Sequence, residues 1–223
     1  MVCPVRDLAS APIGVCVPVR RFGWRARQRH RPGLQFVVST GRHHGFESMA
    51  EQRLLVALDF AGDVVDVVSQ PFRLRFDTAT GSRMHVPDYL AVTRAGVWLF
   101  DVRPVDRVGD DDRVCFAASA EAALAAGWRY AVVTGWRPVA AAIVDTLSSQ
   151  RRELTDRLGL ETQLLTRARS GSCPFGELVA ATSLPAVARA HALHLLWHRR
   201  LGVDLAQSLT DRSLVWAAEG GWG

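Results

Sequence analysis

A chain of 223 residues, 48% of them hydrophobic, can bury a sizeable core, as one large domain or as a medium domain with an appendage. No run of about 18 uncharged apolar residues is present, which excludes a membrane-spanning helix. The net charge of +5 rests on 27 arginines without a single lysine, a compositional bias whose basic balance fits a polyanionic partner.

The segment Met1-Val2-Cys3-Pro4-Val5-Arg6-Asp7 lacks the apolar core of a signal peptide, so a bacterial-type cytoplasm is expected. Cys3, Cys16, Cys115 and Cys173 are scattered and form no Cys-x-x-Cys pair. Reduced thiols are therefore expected, not a zinc site.

Residues 1–33 show no periodicity and read as a basic arm. Arg20, Arg21, Arg25, Arg27, Arg29 and Arg31 lie close together, with Phe22 and Trp24 among them. Such an arm is either a solvated, partly disordered segment or a strip laid along a phosphate backbone. Residues 34–38 read as a strand. They run into a polar loop, 39–45, where Arg42, His43 and His44 are candidate DNA contacts.

Residues 46–60 read as a helix, with Phe46, Met49, Ala50, Leu54, Ala57 and Leu58 as its apolar stripe. Glu47 and Glu51 are spaced to share a face of it. Glu51 is flanked by stripe positions and is the better candidate to point inwards. After Gly62-Asp63, residues 64–68 and 72–76 read as strands, separated by Ser69-Gln70-Pro71. Arg73 and Arg75 alternate with Phe72, Leu74 and Phe76, which gives one buried and one basic face. Residues 77–82 read as a loop.

A hairpin follows: His85-Val86-Pro87-Asp88-Tyr89, a turn at Thr93-Arg94-Ala95-Gly96, then Trp98-Leu99-Phe100-Asp101-Val102-Arg103-Pro104. Each strand carries one carboxylate in an otherwise apolar run, which is costly without a partner. With the turn centred between Arg94 and Ala95, Asp88 faces Asp101, with Cβ atoms roughly 5 Å apart. That is close enough to share one divalent ion. Arg103, two residues beyond Asp101, projects from the same face. The alternative is that both carboxylates pair with arginines at a strand end.

Residues 114–126 read as a helix ended by Gly127, and 128–133 as a strand. A strand–helix–strand unit at the end of an antiparallel meander implies a mixed sheet covered by helices. Beyond it, 139–147, 151–167, 175–181 and 187–200 read as helices, the second with a possible break at Gly159. Residues 201–205 and 213–216 could form a small β wing, which completes a winged-helix pattern. His191, His194 and His198 sit at helical spacing, but no carboxylate or cysteine completes a recognisable ligand set. A structural role is expected for them.

Pro87-Asp88 followed by Asp101-Val102-Arg103 resembles the PD-(D/E)xK nuclease motif. The ordered series Phe46-Glu47-Ser48-Met49-Ala50-Glu51-Gln52-Arg53-Leu54-Leu55, Leu58-Asp59-Phe60, Asp63-Val64-Val65, Ser69-Gln70-Pro71-Phe72 and Val86-Pro87-Asp88-Tyr89 resembles the TnsA-type endonuclease subunit of heteromeric transposases. The likeness covers roughly residues 34–135 and extends more loosely to the C-terminal region. It implies an α/β fold: a restriction-endonuclease-like core with a mixed β-sheet flanked by helices, plus a mainly helical winged-helix-like region. The expected divisions are a basic arm at 1–33, a nuclease domain at 34–136 and a winged-helix-like domain at 137–223.

By the same resemblance, Glu51, Asp88 and Asp101 bind Mg²⁺, with Mn²⁺ as a substitute. Together with Arg103 they form the catalytic set, and Glu47 and Gln70 are supporting candidates. The implied activity is hydrolysis of phosphodiester bonds at transposon 5′ ends in double-stranded DNA. The implied partners are a DDE-type transposase subunit and an AAA+ ATPase regulator, with nucleoid association when DNA is bound. The family lysine is Arg103 here. Arginine supplies positive charge but not a compact or deprotonatable head. A catalytically inactive DNA- or ATPase-binding module is therefore the alternative, and a stand-alone restriction or repair nuclease is a third reading.

Overall fold

The computed structural model describes residues 2–11, 18–19 and 32–218. Arg20, Arg21, Arg25, Arg27, Arg29 and Arg31, expected to contact DNA, lie outside the described residues. The chain divides into two compact units, Met1–Gly135 and Trp136–Gly223. No helix among the described residues is long and apolar enough to cross a membrane.

The first unit opens with a hairpin of β1 (Gly33–Val37) and β2 (Arg42–Phe46). Residues 42–45, read as loop, and Phe46, read as the start of the helix, are therefore strand. No apolar alternation marks this strand, because its two buried positions are the adjacent His44 and Gly45. His44 is bonded to Thr40 at 2.8 Å. Burial, then the charge of Arg42, holds its imidazole below the usual histidine range.

Helix α1 (Met49–Ala61) starts at Ser48, whose side chain caps the Glu51 N–H, and stops at Gly62 in the left-handed conformation. Glu47 thus precedes the helix and shares no helical face with Glu51. Met49, assigned to the apolar stripe, is exposed. The buried side instead includes Glu51, Leu55 and Asp59, at successive four-residue steps, beside Leu54 and Val56. Asp59 accepts the Val38 and Ser39 N–H groups, both at 3.0 Å, and so ties α1 to the end of β1.

The main sheet is mixed, with order β3 (Val64–Ser69), β6 (Tyr89–Thr93), β7 (Gly96–Val102), β8 (Arg129–Val133). The first two pairings are antiparallel and the last is parallel, joined through α2 (Asp110–Ala125). β4 (Leu74–Thr78) stays out of this sheet and pairs with β5 (Gly81–His85) in a separate hairpin. The segment around 77–82 therefore tightens into a turn at Gly81 with a second strand behind it. The expected alternation holds in β4: Leu74 is buried and Arg75 exposed. Val68, Leu90, Leu99 and Ala123 form one buried cluster between the sheet and α2.

The second unit contains α3 (Pro138–Ser148), α4 (Leu160–Arg169), β9 (Cys173–Pro174), α5 (Phe175–Ala180), α6 (Pro185–Trp197), β10 (Leu201–Val203) and β11 (Leu214–Ala217). Its antiparallel sheet has the order β10-β11-β9. Residues 151–159, read as helical, are not. Asp156 accepts the N–H groups of Leu160 and Glu161 at 2.9 Å, and Gly159 is left-handed, so α4 begins only afterwards.

Candidate functional site

The turn of the β6–β7 hairpin falls between Arg94 and Ala95, as its sequence predicts, with Thr93 opposite Gly96. The regular ladder runs to Tyr89 opposite Phe100, so the next step brings Asp88 to Asp101. There the pairing changes. The Asp88 N–H donates to the Phe100 carbonyl at 3.0 Å, and the Asp88 carboxylate accepts the Val102 N–H at 2.6 Å. One side chain has taken over a ladder position and stays anchored at the strand end.

Glu51 reaches the same place from the first turn of α1. Its carboxylate accepts the Glu47 N–H and the Ser48 hydroxyl, each at 2.8 Å, which fixes its rotamer. Burial first, then the Glu51 carboxylate, push Asp88 well above the ordinary carboxylate range; Asp101 and Glu47 add to this, and the Val102 N–H opposes it. Among the described residues no arginine forms an ion pair with Asp88 or Asp101.

Asp101 is 1% exposed. One of its oxygens contacts His85 Nε2 at 2.8 Å, and the other accepts the Tyr130 hydroxyl at 2.8 Å. Burial and the Asp101 carboxylate raise the Tyr130 phenol far above its usual value, so it remains a donor. Tyr89 is raised in the same way, by burial and then by Glu51 and Asp88, and donates to the Gly45 carbonyl at 2.8 Å. The Tyr130 phenol thus fixes Asp101, while Tyr89 is anchored to the backbone of β2.

Arg103 is directed elsewhere. Its Nε bonds the Arg107 carbonyl at 3.2 Å and lies 3.3 Å from Asp112, and the side chain is about half exposed. Gln70 is 5% exposed and adopts φ 48°, and its N–H donates to the Asp88 carbonyl at 2.7 Å. A non-glycine residue in that conformation costs about 1–2 kcal/mol. Its Oε1 is buried with no hydrogen-bond partner among the described residues, a further penalty of about 1–3 kcal/mol. Of the loop candidates, Arg42 is paired with Asp66, and His43 lies edge-on to Phe36.

His85 and Tyr130 were not singled out by sequence. His85 borders the Pro-Asp step, and a tyrosine in a buried strand requires a hydroxyl partner, so both signals were readable. The second unit holds another cluster that sequence spacing does not reveal. Among the described residues, Asp156, Glu161 and His191 bring one ligand atom each within 4.8 Å of the others. A carboxylate therefore does approach one of the three helical histidines. His194 instead contacts the Gln150 carbonyl at 2.8 Å, and His198 the Arg151 carbonyl at 3.2 Å.

The donor set of the first unit has the chemistry of a hard divalent-cation site, but among the described residues only Asp156, Glu161 and His191 bring three ligand atoms within 4.8 Å of one another; Glu51, Asp88 and Asp101 do not. The first unit's set consists of carboxylate oxygens from three elements, mutually repelling and half-buried to buried. No protein-family model matches the chain, and no curated protein matches it.

Proposed function

We propose that the chain is a Mg²⁺-dependent DNA endonuclease subunit of the TnsA type, hydrolysing phosphodiester bonds at transposon 5′ ends within a heteromeric transposase. The observation that supports this reading most is the hairpin register, Tyr89 opposite Phe100, which brings Asp88 to Asp101 at the strand end, with Glu51 near enough to raise the Asp88 carboxyl. The first unit's mixed sheet, crossed by β7–α2–β8, supports a restriction-endonuclease-like core. The second unit's order of α4, β9, α5, α6, β10 and β11, with sheet order β10-β11-β9, supports a winged-helix-like module.

Glu51, Asp88 and Asp101 would hold the ion, with Mn²⁺ able to replace Mg²⁺. When bound, the ion supplies an activated water and neutralises charge on the scissile phosphate. The protein's own residues prepare the site for it. Ser48 and the Glu47 N–H hold Glu51, the Val102 N–H holds Asp88, and Tyr130 and His85 hold both oxygens of Asp101. Arg103, just past the end of the strand that carries Asp101, is the cation available to the transition-state phosphate once its contact with Asp112 exchanges. Double-stranded transposon-end DNA is the substrate, and a DDE-type transposase and an AAA+ ATPase are the expected partners. In α6 the only arginine is Arg189, already bonded to Asp211 at 2.6 Å, so that helix is better suited to a protein partner than to a phosphate backbone.

The test is nicking of transposon-end DNA with Mg²⁺ and the partner transposase. Activity is expected from the native chain and not from Asp101→Ala; activity that survives that substitution unchanged would remove the assigned site. One observation favours a second reading, an inactive module that keeps the fold. The Arg103 guanidinium is turned to Asp112 and the Arg107 carbonyl. That reading predicts nicking only after Arg103→Lys.

A further inference from the structure

We propose that Gln70 is a further part of the same site: its side-chain amide oxygen accepts a hydrogen bond from the hydration shell of the divalent ion held by Asp88 and Asp101. The inference rests on the ion-site reading given above and adds a ligand-shell residue to it.

The position follows from register. Val68 pairs with Leu90, and Leu90 with Leu99, so these three form a row across β3, β6 and β7 and pack into one buried cluster. Two residues further towards the same end of each strand stand Gln70, Asp88 and Asp101. Side chains alternate along a strand, so Asp101 shares the face of Leu99; Gln70 and Asp88 lie directly beyond the last paired residues of β3 and β6, Ser69 and Tyr89. The 2.7 Å bond from the Gln70 N–H to the Asp88 carbonyl ties these two together. An apolar row thus gives way to polar residues at the end of the sheet, where α1 delivers Glu51.

The chemistry follows from what Gln70 leaves unsatisfied. Its backbone is left-handed, where glycine would sit without strain, and its Oε1 is buried with no partner among the described residues. Neither feature helps the strand end. An amide oxygen cannot be protonated at working pH and does not repel Asp88 as another carboxylate would. It is an acceptor in want of a donor. Mg²⁺ keeps several of its waters when carboxylates bind it, and those waters are donors. Acceptors in that outer layer orient a metal site without adding charge.

The test uses the full chain and four variants: Gln70→Gly, Gln70→Asn, Gln70→Glu and Asp88→Asn. Mn²⁺ is titrated by calorimetry, and thermal unfolding is recorded with chelator and with Mg²⁺. Gln70→Gly is expected to melt higher than the native chain in chelator, because glycine accepts the left-handed backbone, yet to bind Mn²⁺ about 10-fold or more weakly. Gln70→Asn also tolerates that backbone but is one methylene shorter, and the same weakening is expected. Gln70→Glu keeps an oxygen in place and is expected to bind at least as tightly as the native chain. If Gln70→Gly and Gln70→Asn bind with native affinity while Asp88→Asn does not bind, Gln70 only shapes the strand end and this inference fails alone. If the native chain shows no saturable binding, the ion-site reading fails and this inference with it.

Discussion

Two clusters of ionisable groups, one in each unit, differ in how their charges are held. In the second unit, Asp156, Glu161 and His191 are close enough to share an ion. Their charges are nonetheless already answered. Glu161 accepts from Arg200 at 2.7 Å and lies 3.4 Å from His191, while Asp156 caps α4. Burial works against the Asp156 charge, but the N–H groups of Glu161 and Leu160 hold its carboxyl below the usual range. In the first unit, the neighbours of Asp88 are other carboxylates, and its own is pushed up. Proximity of ligand atoms thus points to the second-unit cluster, and the raised Asp88 carboxyl to the first.

The substitution that breaks this comparison most completely is Asp88→Asn. The amide keeps an oxygen for the Val102 N–H but removes the repulsion with Glu51 and Asp101. Nicking is expected to fall by about 100-fold or more, while the ion-free protein gains about 1 kcal/mol of stability, read by denaturant unfolding in chelator at pH 8. The pH dependence has a definite sign. The Asp88 pKa is raised on folding, so the folded chain binds more protons between the unfolded and folded pKa values. Its contribution is full below the unfolded value and is lost as pH rises through the folded one. Ion-free stability should therefore decline with rising pH in the native chain, and decline less in Asp88→Asn. Added Mg²⁺ should restore what the native chain loses.

Glu161→Gln sharpens the comparison from the other side. It leaves the buried His191 and the exposed Arg200 without their carboxylate. A loss of about 1 kcal/mol is expected from those hydrogen bonds, with or without Mg²⁺, measured by thermal unfolding. Tyr130→Phe acts within the first cluster but through Asp101. It removes one 2.8 Å hydrogen bond and leaves the ring packed in the β8 position. Ion affinity is expected to fall by about 10-fold, as for other groups that orient a ligand, in a calorimetric titration. The smallest effect is expected for Arg103→Lys. Arg103 is exposed and its contact with Asp112 is long, so stability should change by less than about 0.5 kcal/mol. Nicking by the variant relative to the native chain then reports directly on which cation the phosphate requires.

The hairpin register was legible because a two-residue turn and flanking apolar alternation leave few ways to pair β6 with β7. The parallel addition of β8 followed from an alanine-rich helix closed by Gly127 between two apolar runs. β2 and β5 were not legible. One buries histidine and glycine; the other is a short polar strand beside a turn. α4 was read too long, because its true start depends on Asp156 reaching forward to two N–H groups, a contact that periodicity does not carry. Of the site, the carboxylates could be read because charge inside an apolar strand is conspicuous. His85 and Tyr130 could not be assigned to Asp101 without the fold, since the hydroxyl comes from β8 and the imidazole from β5. Glu47 was misplaced for a local reason, because Ser48 makes a better helix cap than Phe46 allows.

The central claim is that the divalent ion belongs to Glu51, Asp88 and Asp101. Calorimetric titration of Mg²⁺ or Mn²⁺ into the native chain, Asp88→Asn and Glu161→Gln tests it most directly. Saturable binding by the native chain and by Glu161→Gln, lost in Asp88→Asn, is the predicted result. Binding that persists in Asp88→Asn and disappears in Glu161→Gln would contradict it.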